Sequence, residues 1–287
     1  MITGWVYIIL CAASSVLIAH LLKVVENRKL NTVRVLTVNY LVATVIAFAT
    51  TGWSEIAQLE VTEGIYAIGL GSVVGVIFIA NFFIYSKSVF HNGVGISVAA
   101  MRISLIVPVL LSTLWYLELL TVRQWIGVGL VFLTLFLLLP NKRKMLREPF
   151  SAAWLLVLLF IGTGLGDASL KIYEVEFSSL LGKEHFMGIV FFTAFLVGIL
   201  VLWIRKNWKF KKAELVLGVA VGVPNLYTAI FLIEALERMN GAVVYSSVNV
   251  LTVLGGTLLG IMKWGDYLTK IQWTGIVLTL ITILLLI

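Results

Sequence analysis

The sequence of 287 residues is 61% hydrophobic and only 12% charged, and its formal net charge is +7. A soluble domain carries charge on about a quarter of its residues, so this composition leaves too little polar material to cover a globule in water and excludes a soluble protein. The basic residues lie in short loops between apolar runs and not along one continuous stripe, which excludes a nucleic-acid partner and makes a lipid bilayer the expected surroundings.

Ten apolar runs along the chain have the length, roughly 17 to 25 residues, that an α-helix needs to cross the hydrocarbon core of a membrane. We therefore predict an all-α integral membrane protein with ten transmembrane helices, at approximately 5–22, 34–52, 64–85, 94–116, 122–140, 151–171, 185–204, 213–234, 241–262 and 268–287. No Lys or Arg precedes the first run and no small-residue cleavage site follows it. It is predicted to be a retained helix and not a signal peptide.

The Lys and Arg residues are distributed unevenly between the two sides of these helices. The odd-numbered loops and the helix ends beside them hold 16 of the 21, whereas the even-numbered side holds four, namely Arg123, Lys171, Lys183 and Arg238. Acidic residues lie on the even-numbered side as well: Glu55, Glu60, Glu63, Glu174, Glu176 and Glu184. Positively charged short loops stay on the cytoplasmic side. Both termini are therefore predicted to face outward from a cell (inner or plasma) membrane.

An internal repeat relates the two halves, which we divide at 1–144 and 145–287. At an offset of 148 residues, Leu-Thr-x-x-Gln-Trp-x-Gly occurs at 120–127 and again at 268–275. The same offset pairs Asn92-Gly93 with Asn240-Gly241, Glu118 with Asp266, and Lys23 and Glu26 with Lys171 and Glu174. At an offset of 147, Gly71-xxx-Gly75 matches Gly218-xxx-Gly222. Because each repeat holds five spans, the second copy enters the membrane from the opposite side. Inverted repeats of this kind recur in secondary transporters.

A pattern of apolar helix, Glu118, Leu-Thr-x-x-Gln-Trp-x-Gly and a further apolar helix is thus present twice in a ten-helix chain. In this the whole chain resembles the EamA-type branch of the drug/metabolite transporter superfamily, whose members carry amino acids, nucleotide sugars, amines and drugs. The resemblance implies a central cavity walled mainly by helices one, three, four, six, eight and nine, with helices five and ten as a peripheral support. Characterised relatives mostly keep both termini in the cytoplasm, whereas the charge distribution here predicts the reverse.

Arg102 is the clearest candidate for a binding residue. It lies nine residues past Gly93, or roughly 13 Å along helix four at about 1.5 Å per residue, too deep to reach the interface easily. A charge inside a span is costly and by default indicates function. We predict that its guanidinium binds a carboxylate or phosphate bidentately; the alternative is a structural ion pair or a carbonyl-capping role.

Asp167 and Lys171 lie four residues apart in helix six and therefore share a face. One interpretation pairs the two side chains with each other. The other makes Asp167 a proton-coupling carboxylate or the partner of a substrate amine. His20 in helix one is a further candidate for titration, with a hydrogen-bonded packing role as its alternative.

Two prolines and several polar side chains complete the predicted site. Pro224 predicts an interruption of helix eight near mid-membrane, where transporter sites are often found, so Asn225 and Tyr227 beside it are predicted to line the cavity. Pro108 predicts a bend in helix four, as a gate or as a static kink. Other polar residues lie on the presumed cavity helices, although each alone can also bind helices together: Asn81, Tyr245 and Asn249.

These observations favour a secondary transporter of a small polar metabolite, amino-acid-like or carboxylate-bearing, that works by alternating access. A second interpretation is efflux of cationic or amphiphilic drugs, for which a buried Arg102 is unfavourable unless Asp167 neutralises it. An intramembrane enzyme and a non-transporting membrane subunit are rivals from other classes. The sequence has no HExxH or Walker motif and only one cysteine, Cys11, so we expect neither enzyme activity nor a metal or cofactor. The expected partners are a small-molecule solute, the lipid bilayer and a coupling proton or cation, with a homodimer left open.

Overall fold

The structure of the protein is a computed structural model that describes residues 2–51, 61–138, 152–265 and 267–287. The predicted boundary between the repeats, at 144/145, lies outside these residues. So do several charged residues used in the sequence argument, namely Glu55, Glu60, Lys142, Arg143, Lys144, Arg147 and Asp266.

The regular elements of the described residues are all helical, and we number them α1 to α10 to follow the predicted spans. Some continue into a turn of π-helix. Their bounds are Ile2–Asn27 (α1), Thr32–Ala49 (α2), Val61–Asn92 (α3), Val94–Ile103 continued by Ile106–Leu110 and the π-helical turn Leu111–Trp115 (together α4), Val122–Leu138 (α5), Ala153–Ile172 with the π-helical turn Tyr173–Phe177 (α6), Lys183–Ile204 (α7), Lys212–Leu236 (α8), Gly241–Leu259 with the π-helical turn Gly260–Trp264 (α9) and Lys270–Leu286 (α10).

Eight of these helices, α1 to α4 and α6 to α9, are long and apolar enough to cross a membrane. They confirm the prediction of an all-α, multi-pass membrane protein. Helices α5 and α10 are apolar as well but have 17 residues each. The largest difference from the predicted bounds is at α3, which continues from the predicted end at residue 85 to Asn92. It ends before Gly93, whose φ of +83° suits glycine without strain.

The two intramembrane prolines have different effects on their helices. The interruption predicted at Pro224 is wrong, because α8 runs as one α-helix from Lys212 to Leu236 with Pro224 inside it. By contrast, α4 is interrupted between Ile103 and Ile106, just ahead of Pro108. A proline at 108 has no N–H to bond the carbonyl four residues earlier, that of Ser104, which explains the position of this interruption.

The helices pack in pairs that recur when the two halves are exchanged. Helix α1 packs against α8 and α9, and α6, its counterpart, packs against α3 and α4. Helix α2 packs against α7 and α8, and α7 packs against α2 and α3. Helices α5 and α10 pack against each other.

Glycines allow two of these pairs to approach closely. Gly75 of α3 lies against α7, where a Cβ atom would overlap the carbonyl oxygen of Val190. Gly222 of α8 lies against α2, where a Cβ atom would be 2.9 Å from the carbonyl oxygen of Asn39. The repeated Gly-xxx-Gly pattern therefore serves backbone-to-backbone packing, as small residues commonly do in membranes.

The repeated Leu-Thr-x-x-Gln-Trp-x-Gly motif has an identical local structure in both copies. The backbone N–H of Gln124 donates to the Thr121 hydroxyl at 3.3 Å and the N–H of Thr121 donates to the Gln124 side chain at 3.0 Å; Thr269 and Gln272 repeat both bonds at the same distances. This reciprocal capping box satisfies donors at the start of a helix that have no intrahelical partner. The motif thus caps the first turns of α5 and α10.

Helices α5 and α10 contact each other through equivalent residues. Thr134 and Thr282, which are 148 positions apart, are hydrogen-bonded through their hydroxyls at 3.2 Å. Gly127 of α5 packs against Leu286 of α10, and Gly275 of α10 packs in the same way against Leu138 of α5.

Candidate functional site

Arg102 occupies the last turn of α4 before its interruption. Its Nη1 donates a hydrogen bond of 2.9 Å to Oδ1 of Asn249 on α9. The residue is partly exposed, although it lies in the middle of the α4 span and contacts a second helix. No other hydrogen bond joins the guanidinium to the described residues. A guanidinium has five N–H donors, so most of these donors have no hydrogen-bond partner among the described residues.

Asn249 is oriented by its own helix, and that helix is tied to α6. The Asn249 carboxamide donates to the backbone carbonyl of Tyr245 at 3.0 Å, which directs its oxygen toward Arg102. The hydroxyl of Tyr245 donates to the backbone carbonyl of Asp167 at 2.7 Å. Tyr245 is buried. Helices α4, α9 and α6 are therefore joined at one level by side chains that the sequence singled out.

Asp167 supplies the opposite charge at this level. Its carboxylate interacts electrostatically with Arg102, yet within the described residues the two groups form neither a hydrogen bond nor an ion pair. Asp167, like Arg102, is partly exposed. We call Arg102, Asp167, Tyr245, Asn249 and Tyr85 the Arg102 cluster.

Tyr85 of α3 belongs to this cluster because it interacts electrostatically with Arg102 and is partly buried. The sequence analysis missed it, since a tyrosine in an apolar run has no feature that distinguishes it from an interfacial or packing residue. Helix α1 reaches the same level through Cys11, which interacts electrostatically with Asp167. The side chains at this level thus come from α1, α3, α4, α6 and α9.

The interpretation that pairs Asp167 with Lys171 is wrong. Nζ of Lys171 lies 2.7 Å from Oε1 of Glu118 and 2.6 Å from Oε2 of Glu174, and it forms no ion pair with Asp167. A turn of π-helix follows Ile172 and carries Glu174, while Glu118 comes from the segment after α4. The carboxylate of Glu118 also accepts a hydrogen bond of 2.6 Å from the backbone N–H of Gly241. We call Lys171, Glu118, Glu174 and this N–H group the Lys171 network.

The remaining predicted site residues have other contacts. Asn225 donates to the Asn39 side chain of α2 at 3.1 Å, and Tyr227 stacks on Phe231 with ring centres 5.7 Å apart. Asn81 donates to the Thr163 hydroxyl of α6 at 2.8 Å. These bonds join neighbouring helices. The structure does not bring Asn225, Tyr227 or Asn81 into the Arg102 cluster.

The last three predicted site residues lie on α1, α4 and α8. His20 is in the second half of α1 and partly buried. Pro108 follows the interruption of α4, and Pro224 lies inside the continuous α8. Among the described residues, no group of three or more His, Cys, Asp or Glu side chains is placed to hold a metal ion.

Comparison with known proteins identifies the fold without naming a function. No family model matches the chain. An uncharacterized protein of Haemophilus influenzae (strain ATCC 51907 / DSM 11121 / KW20 / Rd) is 26% identical over 283 residues, which are 96% of this chain and 94% of that protein. A solved crystal structure superposes with a TM-score of 0.74 at 12% sequence identity, over 99% of this chain and 96% of that one. At this identity the likeness concerns the fold alone.

Proposed function

We propose that this protein is a secondary transporter of the drug/metabolite transporter type, which carries a small polar solute with a carboxylate group across a cell membrane by alternating access. In this proposal α5 and α10 also span the membrane, since 17 residues lie at the lower limit of a spanning helix. The chain then has ten spans, arranged as two inverted repeats of five.

Reciprocal contacts support the inverted repeats. Thr134 bonds to its own equivalent, Thr282, and the contacts of Gly127 and Gly275 are exchanged when the halves are exchanged. Two segments related by a twofold axis meet at that axis through equivalent residues, whereas two unrelated helices have no reason to do so. An inverted repeat around a central site is the arrangement in which one half rocks against the other in secondary transporters.

The arrangement of Arg102 is the observation that carries the proposal. An arginine in the middle of a membrane is costly, and here a single neutral carboxamide is its hydrogen-bond partner among the described residues. Its free N–H groups match the two oxygens of a carboxylate. Asp167 nearby can bind an ammonium group or a coupling proton or cation. A zwitterion of amino-acid size satisfies both charges at once.

Two rival functions make different demands on the same cluster. An exporter of cationic drugs would place Arg102 against a like charge, which is unfavourable in a medium of low dielectric constant. An intramembrane hydrolase needs a nucleophile beside a general base. The Arg102 cluster instead combines one cation, one carboxylate, two tyrosines and a carboxamide, a set suited to binding.

Uptake into proteoliposomes tests the proposal. Wild-type protein, Arg102→Ala and Arg123→Ala are compared with three labelled solutes: a dicarboxylate, a zwitterionic amino acid and a quaternary amine. Arg123 is the matched control because it is exposed at the start of α5. We expect uptake of a carboxylate-bearing solute that Arg102→Ala abolishes and Arg123→Ala retains. Equal uptake by Arg102→Ala, or uptake of the quaternary amine alone, would contradict the proposal.

A further inference from the structure

The Lys171 network ties three helices together at one end of the bundle. Lys171 is near the end of α6, Glu118 follows α4, and Gly241 is the first residue of α9. The ammonium of Lys171 contacts Glu118 at 2.7 Å and Glu174 at 2.6 Å, while the other oxygen of Glu118 accepts the Gly241 N–H at 2.6 Å. Through these bonds the ends of α4, α6 and α9 are held at one point.

The side chains of this network carry one positive and two negative charges and are shielded from solvent. The exposed fractions of the side chains are 3% for Lys171, 17% for Glu118 and 14% for Glu174. One cation faces two carboxylates, and the second carboxylate is offset by the N-terminus of α9, where backbone N–H groups carry a partial positive charge. Removing the cation leaves two partly buried carboxylates that repel each other.

Neighbouring contacts close the same end of the molecule. The Asn240 carboxamide donates to the Leu119 carbonyl at 2.8 Å. Gly241 is so close to Ser112 of α4 that a Cβ atom would overlap the serine hydroxyl. Gly4, at the beginning of α1, packs in the same way against Met239. Helices α1, α4, α6 and α9 therefore converge at this end, and α4, α6 and α9 also supply residues of the Arg102 cluster.

Equivalent positions at the two ends differ in exposure within the described part of the chain. Gly93, the counterpart of Gly241, is exposed, and no heavy atom of the described residues lies within 4 Å of a Cβ atom built on it. Lys23, the counterpart of Lys171, is partly exposed, whereas Lys171 is buried. Ser86 of α3 is exposed, whereas Ile233, its counterpart in α8 at the offset of the Gly-xxx-Gly match, is buried. Gly93 and Lys23 have the same residue types as their counterparts, so their different exposure is a departure from twofold symmetry.

We propose that the Lys171 network is a latch that closes the Gly241 end of the pathway to the Arg102 cluster. This inference rests on the proposed transport function. Opening the Gly241 end requires the Glu118–Lys171 contact and the Glu118–Gly241 hydrogen bond to break, because both cross between helices. On the orientation predicted from the loop charges, the latch faces outward.

Thiol labelling tests the latch independently of transport. Ser247 is fully buried on α9, between the latch and Asn249, and is changed to Cys in a Cys11→Ser background. A membrane-impermeant maleimide is applied to intact cells and, separately, to inverted vesicles. We expect little labelling from the side that carries Glu118, and labelling on the order of tenfold faster or more from that side in Lys171→Met, which corresponds to about 1.4 kcal/mol of lost closed-state stability.

Two control variants and a second latch variant complete the experiment. Lys183→Met removes a cation at the same end, where Lys183 pairs with Glu234 at 2.6 Å outside the network, and should leave labelling slow. Lys171→Arg should restore protection. If Lys171→Met does not fold, Glu118→Gln, which keeps the shape of Glu118, provides the same comparison.

The outcomes separate this inference from the proposed function. Unchanged labelling in folded Lys171→Met or Glu118→Gln overturns the latch, even when the wild-type protein transports solute. Faster labelling in both variants supports the latch, and it does so even if the uptake assay finds no transported solute, a result that would count against the proposed function only.

Discussion

Arg102 is bound by a neutral side chain although a carboxylate lies in the same cluster. A direct Arg102–Asp167 ion pair would neutralise both charges and leave a solute little to gain by binding. The Asn249 contact orients the guanidinium without neutralising it, so its charge remains available. A carboxamide that orients a charged group without neutralising it is what we expect of a preorganised binding site.

Replacing Asn249 by Ala should therefore weaken solute binding. A hydrogen bond to a charged group contributes about 1.5–3 kcal/mol, so we expect the KM for uptake to rise on the order of tenfold to a hundredfold. Asn225→Ala is the matched control, because Asn225 bonds to Asn39 between α8 and α2. It should lower the unfolding temperature and leave KM unchanged. An equal rise of KM in both variants would contradict this assignment.

For single residues, the sequence predicted which polar side chains are site candidates more successfully than it predicted the contacts that they make. Arg102, Tyr245, Asn249 and Asp167 were identified because polar groups in apolar runs are conspicuous. The Asp167–Lys171 pairing, one of the two interpretations, is wrong because spacing within one helix shows only which residues share a face. It contains no information on a carboxylate from another segment. The repeated Lys-x-x-Glu at the ends of α1 and α6 was the available signal for the latch.

Glycine residues determine how closely neighbouring helices approach each other. Gly71 and Gly75 of α3 face α7, and Gly218 and Gly222 of α8 face α2. In a membrane, where lipid tails are as apolar as leucine, such close approach contributes packing and weak hydrogen bonds that larger residues prevent. The positions of the helices were predictable from run length, because unpaired backbone groups are not tolerated in lipid.

Substituting glycine in these faces should lower stability according to the room available. Gly75→Ala would force a methyl group against the Val190 carbonyl, and overpacking of this kind costs about 1–3 kcal/mol. Gly222→Ala should behave similarly. Gly69→Ala, where no atom lies within 4 Å, should be neutral or stabilise by up to about 1 kcal/mol through helix propensity. Thermal unfolding in detergent measures these changes, and a Gly69→Ala effect as large as that of Gly75→Ala would contradict the packing account.

The two intramembrane prolines show that run length and residue type do not predict whether a helix is interrupted. Both were expected to disturb their helices, yet only α4 is interrupted. Proline removes one hydrogen bond in either case, but whether the helix then opens depends on its neighbours. Around Pro224 the helix is buried against α1 and α2, and such packing is decided by residues far away in the sequence.

For the whole molecule, the distribution of loop charges gives a prediction of topology. With 16 of the 21 basic residues on the odd-numbered side, both termini should lie outside the cell. Alkaline phosphatase fused to the C-terminus should be active and a fluorescent protein fused there should remain dark, because each reporter folds productively on one side only. A bright fluorescent fusion with inactive phosphatase would reverse the orientation and place the latch on the cytoplasmic side.

Counterflow in proteoliposomes tests the central claim most directly. Vesicles that contain the wild-type protein are loaded with an excess of an unlabelled zwitterionic amino acid and diluted into a trace of the same labelled solute. A carrier with one alternating site should accumulate label above equilibrium for a time, and Arg102→Ala should not. Vesicles that only equilibrate the label, or that show the same overshoot with Arg102→Ala, would contradict transport through the Arg102 cluster.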